Sequence, residues 1–309
     1  MPKDTGDLDP SIVKRMAPWL PYASYVGLAG NGEPFLHPEL FDILETIRRA
    51  DSVPSIVTNG TLLTEQNMRK LIQLGPSILV ISFDGGTKET FESIRVGANF
   101  DRIIHSLELL NHLKSKGHNP YPIVNFLVCV MHQNKNELMD IILWAKKLNV
   151  SKVSFQTVYP FTEEGRRSMI SDLGEVHDVV EPARRKAADL GIDTTLAPLS
   201  FGLEQRLRYE GRKLPANQPL FCENIWHTLH VGIKGDVYYC CFWAGESLGN
   251  LAEQSLPDLW NHPNFQHFRE RIRQGNPHEL CQKCHVLECH NPEKITKQMQ
   301  LELEGLKSR

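Results

Sequence analysis

The chain has 309 residues, of which 41% are hydrophobic and 23% charged, so it can bury a sizeable core and is not a disordered protein. Its net charge of −3 gives no basic excess of the kind that binds a nucleic-acid backbone. No apolar run reaches the roughly 20 residues that cross a bilayer, and the first ten residues are polar and acidic rather than signal-like. We therefore expect a cytoplasmic protein with neither a membrane nor a nucleic-acid partner.

The first two thirds of the chain alternate between short apolar runs and helical patterns. In the helical segments, Pro38 suits a first helical position, Thr64 and Thr87 suit N-caps, and Gly75 suits a helix end. The run at 78–81 is apolar without alternation, which is typical of a parallel strand buried on both faces. The predicted strands are 25–29, 55–57, 78–83, 123–130, 153–158 and a weaker one at 194–196.

This alternation predicts at least five β-α units and therefore an α/β fold with a parallel sheet. An open or closed (β/α) barrel fits the pattern, and so does a doubly wound sheet. In either architecture, ligands bind in the loops that follow the carboxyl ends of the strands.

Three polar loops follow successive predicted strands. They are residues 30–34 (Gly-Asn-Gly-Glu-Pro), 58–60 (Thr-Asn-Gly) and 82–85 (Ser-Phe-Asp-Gly). Glycine lets a backbone approach a ligand, and Asp84 could accept hydrogen bonds from ribose hydroxyls. Taken singly, each is equally an ordinary turn. Because all three converge on one edge of the sheet, together they predict a ligand site. Arg95 is either a carboxylate clamp or an exposed arginine.

The seven cysteines indicate metal binding rather than disulfides, because the count is odd and no secretion signal precedes them. Cys129 lies alone in an apolar run and is interpreted as core. The other six lie in the last third of the chain. Zinc or an iron–sulfur cluster would suit four of them, and Cys241 or Cys289 could replace one of the four. The proposed ligands are Cys222, Cys240 and the Cys-x2-Cys pair Cys281 and Cys284.

The ordered motifs resemble the radical S-adenosylmethionine enzymes. The resemblance rests on Gly-x-Gly-Glu-Pro-x-x-His-Pro at 30–38, Thr-Asn-Gly at 58–60 and Ser-Phe-Asp-Gly at 82–85. The later Cys-x12-Gly-x4-Cys, Gly-Asn-Leu at 249–251 and Cys-x2-Cys resemble the SPASM-type auxiliary-cluster domain attached to many of these enzymes. This implies a partial (β/α) barrel that lacks its first strand, followed by a small cysteine-rich metal domain.

The resemblance also implies the cofactors, S-adenosylmethionine and one auxiliary [4Fe–4S] cluster. Gly30, Gly32, Glu33 and Pro34 would then meet the methionyl amino group. The remaining expected S-adenosylmethionine-binding residues are Thr58, Asn59, Ser82, Asp84 and Arg95, with Ser82 and Asp84 near the ribose or methionyl part and Arg95 near the methionyl carboxylate. Cys222, Cys240, Cys281 and Cys284 would hold the cluster.

One departure is serious. The defining Cys-x3-Cys-x2-Cys loop of the family, which binds the catalytic cluster, is missing from this sequence, in which the first cysteine is Cys129. A start placed downstream of the true one is the explanation we favour. A natural fragment completed by a second chain and a degenerate relative that binds without catalysing are the alternatives.

The sequence thus predicts a protein that generates a 5′-deoxyadenosyl radical to modify a peptide or small molecule once the missing loop is supplied. A flavodoxin or ferredoxin is the expected electron donor. The alternatives are a non-catalytic binding or electron-transfer protein with one auxiliary cluster, and a structural zinc protein. The expected domains are a partial barrel at 1–200, a linker at 201–221, the iron–sulfur domain at 222–291 and a charged tail at 292–309.

Overall fold

Contacts divide the chain into two compact units. The first comprises the described residues up to Ser200 together with 233–235, and the second comprises 201–232 and the described residues from 236 onward. The charged tail expected at 292–309 lies outside the described part of the chain. The computed structural model describes residues 6–30, 32–159, 162–214, 219–243 and 245–289.

The first unit is built on a six-stranded parallel sheet whose strands follow one another in chain order. A doubly wound sheet reverses its strand order at a switch point, and this sheet does not. The predicted α/β fold with a parallel sheet is therefore confirmed, and its strand order is the one expected of a partial barrel. The strands are β1 (Tyr25–Leu28), β2 (Val53–Thr58), β3 (Ile78–Ser82), β4 (Ile123–Val130), β5 (Lys152–Thr157) and β6 (Asp193–Ala197).

Side-chain caps fix where several helices of this unit begin. The Thr64 hydroxyl accepts from the Asn67 N–H at 3.2 Å, and the Thr87 hydroxyl caps the next helix in the same way, so both predicted caps are confirmed. The helices are α1 (Pro10–Met16), α2 (Leu40–Arg49), α3 (Glu65–Leu74), α4 (Lys88–Ile94), α5 (Phe100–Lys116), α6 (Leu138–Lys147), α7 (Glu163–Ser168) and α8 (Leu173–Asp189), with 3-10 turns at Leu20–Tyr22 and Pro34–Leu36. In the described residues, no helix combines the length and apolarity needed to cross a membrane.

Burial along the strands alternates, which corrects one expectation. The run at 78–81 was predicted to be buried on both faces, but Leu79 and Ile81 are fully buried whereas Ile78 and Val80 are only half-buried. The same alternation holds along β2, β4 and β5. One face of these strands is therefore buried, and the opposite face is only half-buried.

The second unit is held together around a buried arginine. The Arg269 guanidinium lies over the rings of Phe265 and Trp260, and it donates to the carbonyls of Ile225 at 2.9 Å and Trp260 at 2.8 Å. These contacts fix the segment that follows Cys222. The unit contains α9 (Leu203–Tyr209), β7 (Leu220–Cys222), α10 (Asn224–His227), β8 (His230–Val231), β9 (Asp236–Tyr238), β10 (Gly249–Asn250), α11 (Leu256–Trp260), α12 (Pro263–Arg273), α13 (Glu279–Gln282) and β11 (Leu287–Cys289).

Candidate functional site

Gly30 and Gly32, in the loop after β1, face open space. A Cβ added to either residue would meet no atom of the described chain within 4 Å, and neither backbone adopts a left-handed conformation. Neither the turn nor the packing therefore requires glycine at these two positions. A close approach of a ligand to the backbone, which would need glycine here, stays a prediction. Asn31 lies outside the described residues.

Gly85, in the third polar loop, has a different reason to be glycine. A Cβ there would lie 2.4 Å from the Phe91 backbone nitrogen, so the loop is in direct contact with the start of α4. The neighbouring Phe83 is fully buried and stacks on Phe126 with ring centroids 4.4 Å apart. Packing thus anchors the loop 82–85 at the carboxyl end of β3, where Ser82 is also buried.

Glu33 joins the first polar loop to the second. Its carboxylate accepts from the Thr58 hydroxyl at 2.7 Å, from the Asn59 N–H at 2.8 Å and from the Phe35 N–H at 3.2 Å. Pro34 then begins the short 3-10 turn that leads towards α2. The Glu33 carboxylate therefore positions two loops at adjacent strand ends. Thr58 and Asn59 supply the donors by which the second loop is held.

Asp84 and Arg95 are ion-paired with each other. Asp84 is 2% exposed, and its carboxylate accepts from Arg95 Nε at 2.7 Å and Nη2 at 2.5 Å and from the Cys129 N–H at 2.6 Å. Burial raises the pKa of Asp84, while Arg95 and the Cys129 N–H act in the opposite direction. The pair lies just after the carboxyl end of β3, at the edge of the sheet where the ligand site was predicted. Contacts of either residue with S-adenosylmethionine remain predictions.

Asn134 completes this network and was missed by the sequence analysis. It is fully buried, and its amide donates to the carbonyls of Asp84 at 2.9 Å and Cys129 at 2.8 Å. Its carbonyl oxygen accepts from the Met131 N–H at 2.9 Å. The polar run at 132–136 after β4 was the one available signal, and it does not distinguish a buried asparagine from an exposed loop.

Glu137, which the sequence analysis also missed, holds the far side of the third loop. Its carboxylate accepts from the Gly86 N–H at 2.9 Å, from the Thr87 N–H at 3.0 Å and from the Thr90 hydroxyl at 2.5 Å. Burial acts to raise the pKa of Glu137, but these hydrogen bonds outweigh it and leave the pKa lowered. Glu137 thus fixes the loop that carries Asp84.

Replacing Glu137 with glutamine should lower the free energy of unfolding by about 1–3 kcal/mol, because an NH2 donor then replaces one of the two accepting oxygens. Chemical denaturation at pH 7 measures the loss, and Glu89→Gln on the exposed face of α4 is the matched control. Because the folded pKa of Glu137 is lowered, its contribution is present at neutral pH and is lost as the pH falls through that value. A stability difference that is the same at pH 7 and pH 4 would contradict this role.

The four proposed cysteine ligands lie in one neighbourhood of the second unit. Burial raises the pKa of Cys281 to about 12, and the charges of Cys240, Cys222 and Cys284 add to the effect. Burial likewise raises the pKa of Cys222 to about 12, with added effects from Cys284 and Cys240. Thiols gathered in this way are suited to a cationic metal centre, which compensates thiolate charge.

Backbone donors point at three of these sulfur atoms. The N–H groups of residues 224 and 225 donate to Cys222, those of 242 and 243 to Cys240, and those of 286 and 287 to Cys284. Such hydrogen bonds favour the thiolate form and are among the factors that set the potential of iron–sulfur clusters. The residues present therefore fit an iron–sulfur cluster.

The sulfur atoms do not converge on a single ion. Among the residues that the structure describes, no group of three or more His, Cys, Asp or Glu side chains has the geometry to hold one metal ion. Cys241 is exposed, whereas Cys289 lies in β11 and pairs with Leu220 two residues from Cys222. Side chains two residues apart share a face of a strand, so Cys289 lies on the same face of this ladder as Cys222.

Two family models match this chain, one within each unit. The Radical SAM superfamily matches residues 11–145, and the SPASM iron–sulfur cluster-binding domain matches residues 222–285. The first match contains all three polar loops, and the second contains the four proposed cysteine ligands.

The curated relatives described here are 23% and 26% identical to this chain. A tungsten-containing aldehyde ferredoxin oxidoreductase cofactor-modifying protein of Pyrococcus furiosus is 23% identical over 86% of this chain and 76% of its own length. An AdoMet-dependent heme synthase of Methanosarcina barkeri is 26% identical over 84% of this chain and 74% of its own. Each match spans both units of the fold.

Solved structures share the fold at lower identity. Streptococcus suis SuiB bound to S-adenosylmethionine aligns with a TM-score of 0.71 at 14% identity, over 92% of this chain and 67% of that one. The protein anSMEcpe with bound AdoMet aligns with a TM-score of 0.63 at 18% identity, over 92% of this chain and 80% of that one. Both support the radical S-adenosylmethionine fold for this chain.

Proposed function

We propose, on the premise that this chain belongs to the radical S-adenosylmethionine superfamily and carries a SPASM iron–sulfur domain, that it is the larger part of a peptide- or cofactor-modifying enzyme. S-Adenosylmethionine would bind at the carboxyl ends of β1 to β3, against Gly30 and Gly32. One auxiliary [4Fe–4S] cluster would be held by the four thiols of the second unit, Cys222, Cys240, Cys281 and Cys284.

The open space beside Gly30 and Gly32 is the observation that carries the proposal. A close backbone approach to a ligand needs glycine, and no contact within the described chain explains glycine at either position. Glu33 holds this loop against Thr58 and Asn59 through hydrogen bonds of 2.7 and 2.8 Å. The loop is therefore fixed before a ligand arrives, which lowers the cost of binding.

When bound, S-adenosylmethionine supplies the source of a 5′-deoxyadenosyl radical. The chain's own contribution is to bind and orient it at the strand ends, where the Asp84–Arg95 pair and Glu137 hold the third loop rigid. The catalytic cluster does not fit this chain, because the sequence has no cysteine before Cys129. Its ligands would have to come from an N-terminal segment or from a second chain.

The substrate class is proposed from the relatives. The Pyrococcus furiosus relative is named for modifying a cofactor, and SuiB has been solved bound to the precursor peptide SuiA. A peptide or a cofactor-like small molecule is therefore the substrate that we propose here, with a flavodoxin or ferredoxin as the electron donor.

A second candidate is favoured by the missing cysteine triad. A chain that keeps only the auxiliary cluster could bind ligands or transfer electrons without catalysis. The enzyme and the non-catalytic protein differ in whether they form 5′-deoxyadenosine. Supplying an N-terminal segment with Cys-x3-Cys-x2-Cys, together with reductant and S-adenosylmethionine, should yield 5′-deoxyadenosine if the chain is part of an enzyme. Cluster reduction without this product would favour the non-catalytic candidate.

Gly30→Ala and Gly32→Ala should weaken S-adenosylmethionine binding at least tenfold while changing stability by no more than about 0.5 kcal/mol, since the added methyl groups meet only open space. Equilibrium dialysis and thermal unfolding measure the two effects. Gly85→Ala is the contrasting variant, because its methyl group would lie 2.4 Å from the Phe91 nitrogen and should destabilise the fold. Unchanged binding in both glycine variants would contradict the proposed site.

A further inference from the structure

Arg206 is fixed beside the cysteines of the second unit. Its helix, α9, contacts the Cys-x2-Cys segment so closely that a Cβ on Gly202 would lie 3.0 Å from the Gln282 carbonyl oxygen and 3.1 Å from Lys283 Cα. The Arg206 Nη2 donates a short hydrogen bond to the Leu287 carbonyl. Leu287 in turn pairs with Cys222 across the β7–β11 ladder.

The surroundings of this guanidinium combine thiols and carboxylates. The groups that interact electrostatically with Arg206 are Glu288, Cys284, Glu210 and Cys289. In the opposite direction, the charge of Arg206 lowers the pKa of Cys284. Arg206 is therefore a cation that acts on a proposed cluster ligand.

One donor of Arg206 is unused. Its Nε is buried and has no hydrogen-bond acceptor among the described residues, as is true of His285 Nδ1 next to Cys284. A buried donor without a partner is unfavourable and rare in native structures, so one that is retained calls for an explanation. An anionic cluster sulfur beside Cys284 would supply the missing acceptor.

We propose that Arg206 tunes the auxiliary cluster, with its positive charge and its unused N–H raising the reduction potential. The inference rests on the proposed cluster ligands. Reduction adds one electron, and therefore one negative charge, to the cluster. A fixed neighbouring cation stabilises the reduced form more than the oxidised form, and the low dielectric of a buried site strengthens the effect. Arginine stays protonated at neutral pH even when burial lowers its pKa.

Arg206→Gln should therefore lower the midpoint potential of the reconstituted cluster, whereas Arg206→Lys should keep most of the wild-type value. Glu288→Gln should shift the potential upward, because it removes a negative charge near the same guanidinium. The titration uses dithionite as the one-electron reductant with redox mediators, and EPR reports the reduced cluster. Arg208→Gln is the matched control, since Arg208 lies on the same helix with its side chain 77% exposed.

The iron content of each protein separates the possible outcomes. Wild-type protein without iron would overturn the ligand assignment itself. Full iron with the same potential in wild type and Arg206→Gln would overturn the role of Arg206 and leave the ligands intact. If Arg206→Gln loses its cluster, the potentials of Glu288→Gln and Arg206→Lys test the proposal instead. A wild-type potential in Glu288→Gln, or a large downward shift in Arg206→Lys, would then overturn the proposal.

Discussion

Cys281→Ser is expected to lose most of the iron that the wild-type chain binds. Serine is a hard, poorly ionised ligand that seldom replaces a thiolate in an iron–sulfur site. Cys281 is half-buried beside the other three proposed ligands, and burial, with a further effect from their charges, raises its pKa to about 12. Iron and sulfide assays after anaerobic reconstitution, with the absorbance of the cluster, measure the loss.

Two cysteines outside the proposed set are controls for this prediction. Cys129 lies in the first unit, where burial and the charge of Asp84 raise its pKa to about 12, so Cys129→Ala should keep the full iron content. Cys241 is exposed, and Cys241→Ser should also keep its iron. If Cys281→Ser binds as much iron as these controls, the ligand assignment is wrong. Cys289→Ser tests whether Cys289 replaces a proposed ligand.

Arg95→Met should cost roughly 3 kcal/mol of unfolding free energy, at the lower end of the range for broken buried ion pairs. The variant leaves the Asp84 carboxylate, which is 2% exposed, with the Cys129 N–H as its remaining strong donor. Lys88→Met is the matched control. It breaks the exposed Lys88–Asp101 pair and should cost no more than about 1 kcal/mol.

The pH dependence of this variant has a definite sign. Burial raises the pKa of Asp84, and loss of Arg95 removes the main opposing charge, so the pKa should rise further. Below the folded pKa the carboxyl group is protonated and needs no cationic partner. The stability deficit of Arg95→Met should therefore shrink between pH 8 and pH 5. A deficit that is constant with pH, or one that grows towards pH 5, would show that Asp84 is not the group left unpaired.

The fold could be predicted from the sequence because its signals are local. Apolar runs of strand length, bounded by turn residues, recur between helical patterns, and the Thr64 and Thr87 hydroxyls mark helix starts. Helix α2 was less predictable. Pro38 was expected as its first residue, but the helix begins at Leu40, after a turn in which His37 Nδ1 accepts from the Glu39 N–H at 3.1 Å. No side chain caps this helix, so the sequence carries no cap residue that would mark its start.

The candidate site, like the fold, could be predicted from the sequence only in part. The three polar loops could be placed at strand ends, since parallel strands bring their carboxyl ends to one edge. Their internal contacts could not be predicted, because they join residues distant in sequence. Glu33 reaches Thr58, and Asn134 and Glu137 reach the loop after β3 across about 50 positions. The pairing of Arg95 with Asp84 was likewise not predicted, and its expected place near a methionyl carboxylate stays a prediction.

The central claim is that the second unit of this chain holds one auxiliary [4Fe–4S] cluster. Iron, sulfide and zinc per chain, measured on anaerobically purified protein, test it most directly. We predict about four irons with matching sulfide, the content of a single cluster, held by Cys222, Cys240, Cys281 and Cys284. About one zinc per chain without iron, as in a closed four-cysteine structural site, would contradict the claim.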